Sequence, residues 1–206
     1  MEADMHRLRS CLSRFLPHVE RGNVALTGGV AIELHLAEAG QRCRRERIAD
    51  LDFVSSTMGA VAPSVSRDFL VSHYHVARQG VPKGLIQLVD PVTRLRLDVF
   101  VEPGATLPGA KQMTVAGEIL LVLEPRSILD HKLRTLSREP VDEKHWLDAL
   151  SLAALCGAPR PFTPAHHVSD VYSTDLNAAC DRCDRSRSSM FPLAPKADIW
   201  KLLGYV

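Results

Sequence analysis

Three acidic residues and a pair of glycines are the side chains here whose type and spacing could do chemistry. Asp50 and Asp52 flank Leu51, Asp98 stands in the later run Arg94 to Val101, and Thr27-Gly28-Gly29 closes a short apolar stretch. Residues two apart on a strand leave the same face, so Asp50 and Asp52 place two anions a few ångströms apart. Such a pair repels itself unless a cation stands between the carboxylates. Asp98 alternates with Leu97 and Val99, so it too is no simple core position; if its strand lies beside that of Asp50, three carboxylates meet. Hard oxygen ligands of this kind select Mg²⁺ or Mn²⁺ over Zn²⁺. Those ions can activate an attacking hydroxyl and clamp a transferring phosphate with its pyrophosphate leaving group. Thr27, Gly28 and Gly29 suit the other half of that chemistry. Glycines let an anion approach the main chain, and a helix beginning there aims its amides and positive dipole end at phosphate. The pieces together predict nucleotidyl transfer from a nucleoside triphosphate. A diglycine after a strand is also an ordinary turn, and Asp-x-Asp is also a solvated strand face; the conjunction favours the chemical reading.

Several elements must hold these residues. Met5, Leu8, Leu12, Phe15 and Leu16 recur at helical spacing and predict a helix over 4–20. Val24-Ala25-Leu26 predicts a short strand, followed by a helix over about 30–38 that Gly40 ends in the C-cap role. The stretch 48–54 alternates as a strand. Residues 57–68 read as loop, and 71–76 as a weak strand. Two β-rich runs, 85–89 and 94–101, are separated by Asp90-Pro91-Val92-Thr93, a hairpin signal. One more strand is expected over 118–123. Helices follow: one capped by Ser127 with the stripe Leu129, Leu133 and Leu136, one over 142–155 stopped by Gly157 and Pro159, and a short one at 198–203. Mixed α and β first, helices afterwards, predicts an α+β fold with a helical carboxyl-terminal extension. The expected organisation is a core over 1–124 and a helical region over 125–206 packed on it.

At 206 residues, 46% hydrophobic and 24% charged, the chain has the composition of an ordinary soluble globular protein able to bury a core without disulfides. A net charge of +1 gives no global field for nucleic acid, so such a contact needs a local patch. No window approaches a membrane span and the amino terminus lacks a signal peptide. Five scattered cysteines argue for free thiols in a reducing compartment, so a cytoplasmic protein is expected. There is no Gly-x-Ser-x-Gly elbow and no P-loop.

This pattern resembles the nucleotidyltransferase superfamily with a polymerase-β-type palm. Within it, Leu26-Thr27-Gly28-Gly29-Val30-Ala31-Ile32-Glu33-Leu34-His35 and Ile48-Ala49-Asp50-Leu51-Asp52-Phe53 resemble the abortive-infection Eii-type toxins of bacterial type IV toxin–antitoxin systems. The resemblance spans about residues 22–155, because Ile128-Leu129-Asp130-His131-Lys132-Leu133 and Lys144-His145-Trp146-Leu147-Asp148-Ala149-Leu150 resemble that family's lysine-bearing and aspartate-bearing helices. It implies a small mixed sheet flanked by helices, with Gly28 and Gly29 on the phosphates and Asp50 and Asp52 on the metal. Asp98 matches the third acid, Lys132 the nucleotide-contacting lysine, and Asp148 the later essential acid. A nucleoside triphosphate substrate, a hydroxyl on tRNA or protein as acceptor, and an antitoxin protein as partner are implied with them. His145 departs from the pattern, since family members often have aspartate there. An antibiotic-modifying transferase and a catalytically silent nucleotide- or partner-binding module of the same fold are the rival readings.

Other residues carry weaker signals. At 100° per residue, Lys132 lies about 60° from Leu129, on the margin of the buried stripe. A snorkelling surface lysine fits that position as well. Asp148 shares a face with Leu152 and Leu155, which also suits a buried acid with a partner. Arg42, Arg44, Arg45 and Arg47 precede the carboxylate strand; Arg45 is counted with the nucleotide-binding residues, because arginine forks pair with phosphate, although a solvated loop reads the same way. Arg182, Arg185 and Arg187 are interleaved with acids. Cys180 and Cys183, with His166 and His167 upstream, have loose spacing for zinc, and free thiols are the simpler reading. His73 and His75 share a strand face without a third ligand.

Overall fold

Apolar side chains at helical spacing begin the chain: Leu8, Cys11, Leu12 and Phe15 line one buried stripe of helix α1, Glu2–Phe15. A computed structural model of the protein describes residues 2–41, 48–78, 83–102, 107, 109–138 and 143–156. Helix α1 stops short of the expected 20, because Pro17 has no N–H for the next rung and its ring opposes the carbonyl four residues back. The chain passes instead into a 3-10 turn, Leu16–His18. Phe15 anchors α1 on the sheet, its ring 5.0 Å from that of Phe53 and 6.0 Å, edge-on, from that of Phe69.

Seven strands form one mixed sheet: β1 Val24–Thr27, β2 Asp50–Ser55, β3 Leu70–His75, β4 Gly84–Val89, β5 Arg96–Val101, β6 Lys111–Val115 and β7 Glu118–Val122. Their order is β3-β4-β5-β2-β1-β7-β6. The β2/β5 and β1/β7 pairs are parallel and the others antiparallel. Leu51, Phe53, Leu97, Val99, Ile86 and Leu88 are buried on one face, each alternating with a more polar neighbour or an edge position on the other. The stretch 57–68, expected as loop, contains two short 3-10 turns, Met58–Ala60 and Pro63–Arg67. Strand β6 has no counterpart among the sequence expectations. It is an edge strand whose Lys111, Gln112 and Thr114 are exposed, so it lacks the apolar alternation that marks a half-buried strand. Ala116 and Gly117, with φ of 51° and 88°, make the two-residue turn that joins it to β7.

Helix α2, Gly28–Glu38, follows β1 with no intervening loop. It ends at Gly40, where φ is 69° and the Gln41 amide donates to the Leu36 carbonyl at 2.8 Å, the six-residue closure of a Schellman cap. The His35 Nε2–H donates to the Leu123 carbonyl at 2.7 Å. The Leu123 amide in turn continues the parallel ladder onto Leu26, tying α2 to the β1/β7 pair.

The β4–β5 connection is built on Asp90, which is fully buried. Its carboxylate accepts from the Val92 amide at 2.9 Å, from Thr93 Oγ1 at 2.7 Å and from Arg14 Nη1 at 2.6 Å. Burial alone would raise its pKa, yet the Thr93 and Val92 hydrogen bonds and the Arg14 charge together hold it below the ordinary carboxylate value. Beside it, burial first and the Asp90 charge second push the Cys11 thiol up to about 12.

The chain divides into two units, Met1–Ala37 with Gln41–Glu124, and Glu38–Gly40 with Pro125–Val206. In the second, α3 (Pro125–Arg138) begins two residues before Ser127, so Ser127 is not its cap. Pro125 occupies the first turn, where a missing N–H costs nothing. Helix α4 runs Glu143–Leu155. The expected helix at 198–203 lies outside the described residues. The structure is therefore of the α+β class, with a seven-stranded mixed sheet and helices. No helix among the described residues is long and apolar enough to cross a membrane.

Candidate active site

Strand register assembles the site. Asp52 is opposite Asp98 on the parallel neighbour β5, and opposite Thr27 on the antiparallel neighbour β1. Asp98 in turn faces Gln87 on β4, and Gln87 faces His73 on β3. Register partners leave the same side of a sheet, so His73, Gln87, Asp98, Asp52 and Thr27 form one polar row across five strands. Asp50 and its partner Arg96 lie one step along the same face. The opposite face at these positions is the core, since Leu51 and Leu97 are both wholly buried.

Gly28 closes the row from the β1 side. Its φ is 65°, a conformation open to glycine, and it turns the chain straight from strand into helix. A Cβ there would lie 2.6 Å from both Cβ and Cγ of Asp52, nearer still to its Oδ2. The close approach of main chain and carboxylate thus exists only because the side chain is missing. Gly29 follows it in the first turn of α2 and is buried.

Two side chains that sequence reasoning passed over organise the acids. Arg96 donates from Nη2 to Asp50 Oδ2 at 3.0 Å, and its Nε lies 3.2 Å from Asp98 Oδ2. Gln87 Nε2 donates to the other Asp98 oxygen, Oδ1, at 3.0 Å, while Gln87 Oε1 accepts from Ser72 Oγ at 3.0 Å. A continuous polar chain therefore runs Ser72–Gln87–Asp98–Arg96–Asp50. Arg96 was visible in principle, because it alternates with Leu97 just as Asp98 does. Gln87 was not, since only strand register brings it to Asp98.

Among the described residues no group of three or more His, Cys, Asp or Glu is already gathered as a cation cage. The donor chemistry is nonetheless of the kind a hard divalent ion takes. They are all-oxygen donors on one face, and a positive group, the Arg96 guanidinium, already bridges two of them as a stand-in cation.

Lys132 and Asp148 belong to the second unit and pair with each other. Lys132 Nζ lies 3.0 Å from Asp148 Oδ2, with the lysine side chain 13% and the aspartate 2% exposed. His145, the residue that departs from the family pattern, also meets Lys132 Nζ, through Nδ1 at 3.2 Å. Because an ammonium only donates, that ring nitrogen is the acceptor. His73 and His75 lie together at the β3 edge, Nε2 of the first 3.0 Å from Nδ1 of the second, and His75 Nε2 donates to the Lys83 carbonyl. Arg42, Arg44, Arg45, Arg47, Cys180, Cys183, His166, His167, Arg182, Arg185 and Arg187 lie outside the described residues.

No protein-family model matches the chain and no curated protein matches it. Among solved structures it is similar to an antigenic nucleotidyltransferase-like protein from Paracoccidioides brasiliensis, with a TM-score of 0.48 and 17% identity over 96% of this chain and 89% of that one. It is also similar to the Megavirus polyadenylate synthase, with a TM-score of 0.49 and 15% identity over 74% of this chain and 32% of that one. The chain therefore spans about a third of the synthase's length. At these identities and TM-scores the chemistry rests on the side chains described above.

Proposed function

We propose that this protein is a nucleotidyltransferase that moves a nucleoside monophosphate from a nucleoside triphosphate to a hydroxyl, releasing pyrophosphate. One observation carries the proposal: Asp52, with Asp98 opposite it, lies directly against the left-handed Gly28 that opens helix α2. Carboxylates for a cation and a helix start for an anion are thereby adjacent, which is the pairing a metal–triphosphate needs. Asp50, Asp52 and Asp98 would hold a divalent ion, Mg²⁺ or Mn²⁺. When bound, it would supply charge neutralisation at the transferring phosphate and a lowered pKa for the attacking hydroxyl.

The chain's own groups do the rest. The amides at Gly28 and Gly29 bind the phosphates at the helix start, with Thr27 beside them. Gln87 donates to Asp98 Oδ1 and so fixes how that carboxylate is turned, with Oδ2 as its oxygen for the cation. Lys132 and Asp148 enter through the family resemblance alone, the lysine as the nucleotide contact and the aspartate as the later essential acid. The same resemblance supports a tRNA or protein hydroxyl as acceptor and a toxin role with an antitoxin partner. The test is label transfer from an α-³²P nucleoside triphosphate panel to total tRNA and lysate protein, with Mg²⁺ or Mn²⁺. Wild type should transfer label and Asp52→Asn should not; equal transfer by both would overturn the proposal.

A further inference from the structure

We propose that Arg96 is a resident counter-ion that competes with the divalent cation for the carboxylate row, and so sets the threshold for metal binding. This rests on the nucleotidyltransferase reading of Asp50, Asp52 and Asp98.

The competition is for particular atoms. Asp98 has one oxygen, Oδ1, engaged by Gln87 at 3.0 Å, which leaves Oδ2 as its oxygen for a cation. Arg96 holds that oxygen through Nε, and Nη2 of the same guanidinium holds Asp50 Oδ2. A hard divalent ion binds carboxylate oxygens at about 2.0–2.1 Å and needs their lone pairs for itself. It would also meet a fixed positive charge between two of its ligands, and like charges at that range oppose one another. Asp50 and Asp98 therefore serve either the guanidinium or the metal.

Mobility decides which partner yields. The Asp98 side chain is 10% exposed and held by Gln87, whereas the Arg96 side chain is 47% exposed. Strand pairing keeps the Arg96 main chain opposite Asp50, so the side chain swings outward without leaving the site. The exchange has a physical use. Before a metal arrives the guanidinium neutralises part of a clustered negative charge; afterwards it is a free fork on the same face, suited to phosphate.

The test is Mn²⁺ titration without nucleotide, followed by the electron paramagnetic resonance signal of the free aquo ion, on wild type, Arg96→Gln, Arg96→Lys and Asp52→Asn. Two partly exposed pairs are removed in Arg96→Gln, so Mn²⁺ should bind about three- to tenfold more tightly than in wild type. Arg96→Lys, a point charge that cannot bridge both acids, should lie between them. Asp52→Asn, which leaves the Arg96 pairs untouched, should lose Mn²⁺ binding. If wild type binds Mn²⁺ through Asp52 while neither Arg96 variant binds more tightly, the competitor role is overturned and the metal reading stands. If neither wild type nor Arg96→Gln binds Mn²⁺, the metal reading falls and this proposal with it. Melting curves in chelator identify a variant that has failed to fold; should Arg96→Gln do so, Arg96→Lys alone decides, and affinity no tighter than wild type overturns the proposal.

Discussion

Replacing Gly28 by alanine should damage both stability and chemistry, by amounts that the geometry separates. The first component is backbone. Residue 28 has φ of 65°, and an L side chain in that conformation costs about 1–2 kcal/mol. The second is the collision, because the new Cβ would lie 2.6 Å from Cβ and Cγ of Asp52. Relief by moving Asp52 within a packed sheet costs about 1–3 kcal/mol, the usual range for overpacking. Gly40→Ala isolates the first component, since its φ is 69° and nothing lies within 4 Å of the added carbon. Urea unfolding should therefore show Gly28→Ala less stable than Gly40→Ala by about 1–3 kcal/mol. A second check uses Asp52→Gly, which removes the atoms that collide. In a double-mutant cycle the cost of Gly28→Ala should shrink toward that of Gly40→Ala once Asp52 is glycine. Label transfer should fall by about a hundredfold in Gly28→Ala, the penalty for displacing a reacting group by about 1 Å. Equal stability losses at positions 28 and 40, with no coupling to Asp52, would refute the reasoning.

Asp90→Asn should destabilise the fold by about 1–3 kcal/mol at neutral pH, since it removes a buried charge held by Arg14, Thr93 and Val92. Its folded pKa is lowered, so this stabilisation is complete above the ordinary value of 3.8 and lost as pH falls through the lower folded value. Urea midpoints of wild type and Asp90→Asn should converge on acidification, and a constant gap would contradict the assignment. The Cys11 thiol, at about 12, should resist alkylation in the native protein at mildly alkaline pH and react once urea unfolds the chain. Its sign is the reverse: the unfolded thiol ionises first, so stability should decline as pH rises above about 9. Asp148→Ala should cost about 3–5 kcal/mol by leaving the Lys132 charge without its counter-ion, while Lys132→Met combined with Asp148→Leu should recover most of it. An Asp148→Ala variant as stable as wild type in thermal melting would contradict this account of the pair.

The legible parts of the fold are those whose cause is local. Alternation in 48–54 and 94–101, the Asp90–Thr93 turn, and Gly40 after α2 each announce themselves within a few residues. The misses are equally physical. Apolar spacing continues past Pro17, the residue that ends the backbone ladder of helix α1, so the pattern overstates the helix's length. Ser127 has the chemistry of a cap, but Pro125 already supplies a permissive first turn two residues earlier. Strand β6 carries Lys111, Gln112 and Thr114 because its face is wet, and a wet edge strand leaves almost no apolar trace. At the site, residue type singled out the acids, and strand pairing alone could bring Gln87 to Asp98 and Arg96 to Asp50.

The core and the polar row are two sides of one pattern, which explains why such a row can be written in so short a sequence. Leu51 and Leu97 are buried on one face because Asp50, Asp52, Arg96 and Asp98 occupy the other, and the alternation that fixes one fixes the other. A slip of one residue between β2 and β5 would turn acids inward and leucines outward, at a cost of several unpaired buried charges. The hydrophobic effect thus fixes which face the acids take, and the backbone ladder between β2 and β5 then sets Asp52 opposite Asp98. The polar contacts that do exist act within that frame. Gln87 and Arg96 choose which carboxylate oxygen points where, a finer adjustment than strand pairing can make. Variants of Gln87 should consequently alter chemistry while leaving unfolding midpoints nearly unchanged, whereas polar substitutions at Leu51 or Leu97 should abolish both together.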